Sequence, residues 1–138
     1  MKFATLLTAF LLATATFGQD IAGRWITVDD NTGKQRSVVE ITVAQGVATG
    51  RIVHIFDKSK QDKTCTACTG DRKDQRVLGM EIIRGMKPGG NEWKGGTILD
   101  PDNGKVYDCK MWTEGGKLKV RGYIAFFFRT QTWLPEGR

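Results

Sequence analysis

Apolar and polar residues alternate in steps of two along much of this chain, and that alternation restricts the fold more than any other feature. Residues 39–43 place Val and Ile between Glu and Thr, and residues 118–124 place Leu, Val, Gly and Ile between Lys, Arg and Tyr. A β-strand directs successive side chains to opposite faces, so each segment has one apolar and one polar face. No long segment shows apolar residues at helical spacing. The pattern predicts an all-β protein with antiparallel strands.

Turn-forming residues separate the alternating segments. Asp-Asn-Thr-Gly occupies 30–33, Gln-Gly 45–46, Asp-Asn-Gly 102–104 and Gly-Gly 115–116, and such residues accept the positive φ of tight hairpins. The predicted strands lie near 22–29, 36–44, 47–56, 92–99, 105–113, 117–125 and 129–134. Residues 77–86 are typical of either a further strand or a short helix.

A sheet of seven or eight short strands has to protect its edges, because exposed edges promote aggregation. Closure of an up-and-down sheet removes them, so we predict a small antiparallel up-and-down β-barrel of about eight strands. Gly50, Gly95, Gly96 and Gly122 fall within predicted strands and indicate sharp bends or bulges. A two-sheet sandwich is the alternative, because hairpin signals alone do not decide closure.

The first residues predict export. Lys2 precedes an apolar run at 3–15 that ends in small residues suited to cleavage. We predict a signal peptide at 1–18 and a single barrel domain at 19–138, located in the periplasm or outside the cell. The run is shorter than the roughly 20 apolar residues of a spanning helix, so no membrane span is predicted.

The charge balance is basic, with 21 Lys and Arg against 15 Asp and Glu and a formal net charge of +6. Most of the Lys and Arg residues alternate with acids and glycines along the predicted strands, as solvated side chains do. Together with export, that scatter argues against nucleic acid as a partner.

A long segment at 57–76 has no apolar periodicity and is predicted to be a loop. It contains Cys65 and Cys68, whose spacing is found in structural disulfides, redox sites and half zinc sites. Because an exported protein meets an oxidising environment, a disulfide that pins the loop is the default. Cys109 is then a buried free thiol. With His54 the three cysteines would make a Cys3His zinc site, but we predict neither a metal nor another cofactor.

No catalytic constellation is visible. His54 is the only His, and no nucleophile motif accompanies it. Most Asp residues lie beside Lys, Gly or Pro, as turn and loop residues do. The Asp-Pro-Asp-Asn-Gly segment at 100–104 lacks the later Glu of a calcium loop, and a tight turn accounts for it. The sequence leaves enzyme activity open and favours its absence.

Several motifs together carry a resemblance to a known family. They are Gly23-x-Trp25, Gly79-Met80, the segment from Gly95 to Lys110, the segment from Leu118 to Ile124, and Arg129-Thr-Gln-Thr-Trp133. The pattern resembles domain of unknown function 2147, a family of small exported bacterial proteins. The resemblance implies a lipocalin-like barrel and carries no established activity, cofactor or substrate. At 125–128, Ala-Phe-Phe-Phe replaces a longer glycine-containing stretch and makes an unusually aromatic patch.

The likeness to lipocalins also implies a structural plug at the closed end of the barrel. There an Arg of the last strand covers a Trp of the first strand, and the guanidinium gains cation–π attraction over the indole. Trp25 with Arg129 is the preferred pair, and Arg121 is the alternative partner.

Two hypotheses for function follow. The first is a binding module that holds a small, partly apolar ligand inside the barrel, with Tyr107, Met111, Ile124 and Phe126 lining the cavity. The second is an envelope interaction protein, whose filled barrel has no cavity and whose basic loop at 58–73 contacts a partner protein or an acidic polymer surface.

Overall fold

The computed structural model describes residues 3–10 and 20–137, and within them the chain forms one closed β-barrel. Each strand pairs antiparallel with the next, and β1 pairs with β8. The strands are β1 (Gly23–Val28), β2 (Gln35–Ala44), β3 (Val47–Ile55), β4 (Glu81–Gly89), β5 (Glu92–Asp100), β6 (Lys105–Glu114), β7 (Lys117–Ile124) and β8 (Phe127–Pro135). Two short 3₁₀ helices, Lys58–Lys60 and Gly70–Arg72, lie between β3 and β4.

Closure decides between the two architectures that the sequence allowed. Trp25 pairs with Pro135 and Ile26 with Leu134, so the first and last strands share hydrogen bonds. The eight-stranded barrel is therefore confirmed, and the sandwich is excluded. Residues 77–86, for which the sequence allowed a strand or a short helix, form a strand from Glu81 onwards, and residues 77–80 lead into it without forming a helix.

The apolar N-terminal segment differs from the barrel. Residues 3–10 have no regular secondary structure. Its large side chains are exposed: Phe3, Leu6, Leu7 and Phe10. The predicted cleavage region near residue 18 lies outside the described residues.

The up-and-down order sorts the connections to two ends of the barrel. The closed end comprises residues 21–25, Pro135 and the turns at 45–46, 90–91 and 115–116. The mouth comprises the connections at 29–34, 56–80, 101–104 and 125–126. All the long connections therefore lie at the mouth.

Large apolar side chains fill the closed end. The inward-facing or end-capping residues there are Ile21, Trp25, Ile41, Met86, Trp93, Met111, Leu118 and Trp133, all of them buried. The Trp25 Nε1 group donates a hydrogen bond of 2.9 Å to the Ile21 carbonyl, so the indole is both buried and satisfied. Apolar packing seals this end.

The predicted plug pair of Trp25 and Arg129 is wrong. Trp25 pairs with Pro135, and Arg129 lies six residues earlier on β8, roughly 20 Å away along an extended strand. That register places Arg129 at the mouth, where its Nη2 group pairs with the carboxylate of Asp30.

The alternative partner, Arg121, is wrong for a different reason. It lies one step out of phase with the inward-facing Val120 and Gly122, so its side chain is on the outer face of β7. Its guanidinium stacks over Trp112 at 4.9 Å and over Phe128 at 4.4 Å from the ring centroids.

Glycine within the strands permits bends, as the sequence predicts. The pairing of β5 with β6 shifts register between Trp93 and Gly96. A Cβ atom at Gly96 would overlap the carbonyl of Arg84 on β4, so only glycine allows the two strands to approach there.

Trp25→Ala is expected to lower the free energy of unfolding by about 3–5 kcal/mol, because it empties a packed position at the closed end. Arg129→Ala is the matched control. Its side chain is 66% exposed, so its loss is expected to cost less than about 1 kcal/mol. Urea unfolding followed by circular dichroism measures both, and equal losses would contradict the assignment of the two residues to opposite ends.

Candidate functional site

A cavity of about 530 Å³ occupies the mouth half of the barrel. Its floor is apolar and includes Ile52, Val120 and Trp133. Tyr107 and Gly122 form part of the wall, and a Cβ atom at Gly122 would lie 3.3 Å from the Tyr107 Cβ. The absence of a side chain at Gly122 therefore contributes directly to the free volume.

Below the charged rim, several of the polar groups that line the cavity are hydrogen-bonded within the protein. The hydroxyls of Thr27 and Ser37 lie 2.7 Å apart across β1 and β2. Gln131 accepts a hydrogen bond of 2.9 Å from the Trp133 indole through its Oε1 atom. The interior thus offers an apolar surface with a small polar belt, the composition typical of sites for small ligands.

Charged side chains surround the rim. The cations are Lys34, Arg36, Lys60, Lys63 and Arg129, and the acids are Asp29, Asp57, Asp100 and Asp102. Most of the acids are engaged in local turns. Asp29 accepts hydrogen bonds of 2.9 Å from the backbone amides of Asn31 and Thr32, which lower the pKa of its carboxyl. The acids thus shape the loops, while the side chains of Lys34 and Lys60 are exposed at the rim.

One ionic cluster ties three of the mouth segments together. Asp102, in the turn between β5 and β6, pairs with Arg36 at the start of β2 and accepts a hydrogen bond of 2.9 Å from Lys63 Nζ. Partial burial raises the pKa of Asp102. The hydrogen bonds and charges of the two cations outweigh that effect and lower the pKa to about 2. Because β2 and β5 are not neighbours in the barrel, this cluster braces the mouth across its opening.

The cysteine loop packs against the same turn. Cys65 and Cys68 form a disulfide with an S–S distance of 2.02 Å, and both residues are buried. Gly104 has a φ of +73°, and a Cβ atom there would overlap the Ala67 carbonyl. The disulfide loop and the β5–β6 turn are thus in direct backbone contact, which holds the 56–80 segment over one side of the mouth.

The zinc alternative is not assembled. Cys65 and Cys68 are bonded to each other, and His54 packs edge-on against the Phe56 ring at 4.8 Å between centroids. Across residues 3–10 and 20–137, no group of three His, Cys, Asp or Glu side chains is placed to hold a metal ion. Cys109 is buried, and this burial raises its thiol pKa to about 12, so the thiol is protonated and poorly nucleophilic.

The four residues predicted to line the cavity separate into two pairs. Tyr107 and Ile124 do line it, Ile124 from the rim where it is half-exposed. The expectation for Met111 is wrong, because this residue lies deeper on β6 and is fully buried in the closed-end core. The expectation for Phe126 is also wrong, because the β7–β8 turn leaves its ring 97% exposed.

Other lining residues were missed by sequence reasoning. Thr27, Ser37 and Gln131 line the cavity from β1, β2 and β8. Their period-two relation to the buried Trp25, Val39 and Trp133 was available as a signal. The sequence carried no signal for their depth in the barrel, since depth depends on the register of every pair of strands.

A comparison with known families identifies the chain. The sequence profile of the family described as "Uncharacterized protein conserved in bacteria (DUF2147)" matches residues 23–134, from the first residue of β1 almost to the end of β8. The chain belongs to the DUF2147 family. Among curated proteins, none matches this DUF2147 protein.

A solved structure supports the fold of this DUF2147 protein. Protein HP1028 of Helicobacter pylori, described as belonging to the lipocalin family, superposes with a TM-score of 0.73. The two chains share 19% identity over 86% of this chain and 84% of the other. The DUF2147 barrel is therefore lipocalin-like in fold. Within its described residues, no helix is long and apolar enough to cross a bilayer.

Asp102→Asn is expected to lower the free energy of unfolding by less than about 1 kcal/mol at neutral pH, because the ion pairs it removes are half-exposed. The folded-state pKa of about 2 lies below the unfolded value of about 3.9. The stabilisation is therefore complete above that unfolded value and is lost as the pH falls through 2. Urea unfolding of both proteins at pH 7 and pH 2 tests this, and a difference that grows on acidification would contradict it.

Replacing both Cys65 and Cys68 by Ser is expected to loosen the 56–80 segment while the barrel stays folded. The disulfide closes a loop of only a few residues, so its loss is expected to cost at most about 2 kcal/mol. Amide hydrogen exchange should accelerate in that segment and at 101–104, but not in β6 and β7. Faster exchange throughout the strands would mean that the disulfide supports the core.

Proposed function

We propose that this DUF2147 protein is an exported binding module that holds a small, partly apolar molecule in its barrel cavity. The observation that carries the proposal is the cavity itself. At about 530 Å³ it falls within the roughly 300–1,000 Å³ of small-molecule sites. A barrel of about eight strands is just wide enough either to be filled by side chains or to hold one small ligand. An unfilled half loses packing contacts that would stabilise the fold, and ligand binding accounts for that loss.

The layers of the cavity indicate the shape of the ligand. The floor of Ile52, Val120 and Trp133 suits an apolar body. The Thr27–Ser37 pair lies partway up, and the exposed cations Lys34 and Lys60 stand at the rim. We therefore favour an amphipathic ligand whose apolar part enters first and whose acidic end stays at the rim.

Export is part of the proposal. The exposed apolar segment at 3–10 and its preceding Lys2 fit a signal peptide, and the Cys65–Cys68 disulfide suits an oxidising compartment. We place the mature protein in the periplasm or outside the cell.

The alternative of an envelope interaction protein has less support. It requires a filled barrel and a basic loop free to contact a partner. The cations of that loop are largely engaged within the chain: Lys63 bonds to Asp102, Arg72 to the Glu81 carbonyl at 3.1 Å, and Lys73 to the Thr66 carbonyl. These bonds indicate that the basic residues fold the loop against the barrel.

The proposal is tested with a dansyl-labelled undecanoate, whose fluorescence rises in an apolar site. Val120→Trp fills the cavity floor and is expected to weaken binding at least about tenfold, a difference of 1.4 kcal/mol. Lys119→Trp is the matched control, because the adjacent residue points to the outer face of β7 and should leave the affinity unchanged.

A second variant covers the case in which Val120→Trp disturbs the core. Ile124→Asp places a charge at the half-exposed rim, where folding tolerates it, and should also weaken binding. Unchanged unfolding midpoints must accompany both losses. Undiminished binding by both variants, or equal loss in the Lys119→Trp control, would overturn the cavity as the binding site. Native mass spectrometry of the exported protein would then show whether any organic ligand is retained.

A further inference from the structure

Three consecutive aromatic rings protrude from the mouth of the barrel. Phe126, Phe127 and Phe128, here called the phenylalanine tip, are 97%, 81% and 58% exposed. The other large apolar side chains exposed on the barrel are at most 49% exposed: Val43, Phe56 and Val106, which stand apart in sequence, and Ile124, which adjoins the tip. Isolated exposed apolar residues are ordinary, but a contiguous group marks an interaction site.

The conformation of the hairpin does not account for these rings. Ile124 pairs with Phe127, so Ala125 and Phe126 form a two-residue turn. Ala125 adopts a φ of +53°, a conformation for which Gly or Asn is preferred. The tip therefore carries aromatic bulk at a position where turn stability favours small or polar residues.

The apolar surface of the tip is continuous with the cavity. Phe127 and Ile124 face each other across the hairpin and both line the cavity, Phe127 being largely exposed and Ile124 half-exposed. Phe128 points to the other side, where the Arg121 guanidinium holds its ring at 4.4 Å. An apolar path thus runs from the outermost ring, Phe126, through the rim and into the barrel.

Exposed cations lie at the same end of the molecule, where most of the acids are engaged in turns and ion pairs. Lys34 and Lys60 line the rim of the cavity and are exposed. Arg129 follows the tip directly in sequence and pairs with Asp30. The chain carries a formal net charge of +6, of which Lys2 in the predicted signal peptide supplies one. Exposed aromatic rings flanked by Lys and Arg are the combination that binds the interface of an anionic bilayer.

We propose that the phenylalanine tip docks this protein on the surface of an anionic lipid bilayer, with the mouth of the barrel facing the lipid. A bilayer fits the shape of the tip better than a second copy does. A stable protein interface buries about 800 Å² on each partner, and a narrow convex hairpin offers too little matching surface for that. Shallow insertion of Phe126 and Phe127 among lipid headgroups needs no such complementarity. The docking surface is a further property that stands even where the cavity binds no ligand.

The test is co-sedimentation of the exported, processed protein with vesicles of phosphatidylglycerol and phosphatidylcholine, compared with vesicles of phosphatidylcholine alone. Binding is expected to require the anionic lipid and to weaken as salt is raised. Phe126→Ser should lower the partition coefficient about tenfold or more, because a large apolar side chain leaves the interface. Val43→Ser is the matched control: it removes an exposed apolar side chain at the closed end and should leave partitioning unchanged.

Phe126→Trp supplies a readout at the tip itself. Its added emission should shift to shorter wavelength on binding and be quenched by lipids brominated along the acyl chain. Phe126→Ser is not expected to change the unfolding midpoint, since the ring is almost fully exposed. Absence of vesicle binding, equal binding by wild type and Phe126→Ser, or a wild-type dimer that Phe126→Ser converts to monomer would each overturn bilayer docking.

Discussion

The pairing of β1 with β8 is the interaction on which the rest of the structure depends, because it turns an open meander into a barrel with an inside. The seam is short, with Trp25 opposite Pro135 and Ile26 opposite Leu134. A hydrogen bond extends the seam just past the end of β8: the Glu136 amide donates to the Arg24 carbonyl at 3.0 Å. Trp25 lies both in this seam and in the closed-end core. The closure of the sheet and the packing of its end are therefore supported by the same residue.

Closure gives an interior with one filled half and one half that contains the cavity. In the closed half, Trp25, Trp93 and Trp133 with Met86 and Met111 fill the narrow barrel. In the mouth half the inward positions carry smaller or polar groups, among them Thr27, Ser37 and Gly122, and the cavity results. Side-chain volume contributes to this difference, since the same strands run through both halves. Close packing in the closed half therefore supplies much of the stability of the barrel, while the mouth half contains the cavity.

The mouth is held by contacts that span separate connections. Asp102 links β2 to the 56–80 segment, and the disulfide loop rests on the turn at 101–104. The β7–β8 hairpin, by contrast, lies across the barrel from the 56–80 segment and carries exposed aromatic rings. One side of the mouth is thus fixed by polar and covalent contacts, while the other presents an apolar edge beside the entrance. That asymmetry agrees with the proposal that an apolar ligand enters the cavity at the mouth.

Local sequence determined a great deal about this protein. The period-two alternation and the turn residues predicted the strands and the up-and-down barrel, because backbone preferences and face alternation act over a few residues. They also predicted that Tyr107 and Ile124 face the cavity. What only the tertiary structure decided is depth along the barrel: Met111 lies in the core below the cavity, Phe126 lies outside it, and Arg129 lies at the opposite end from Trp25. The position of a residue along the barrel axis depends on the register and tilt of all eight strands. A bulge in any pair of strands changes that position. No single segment of the sequence determines this position, so the set of residues that line the cavity is defined only by the closed barrel.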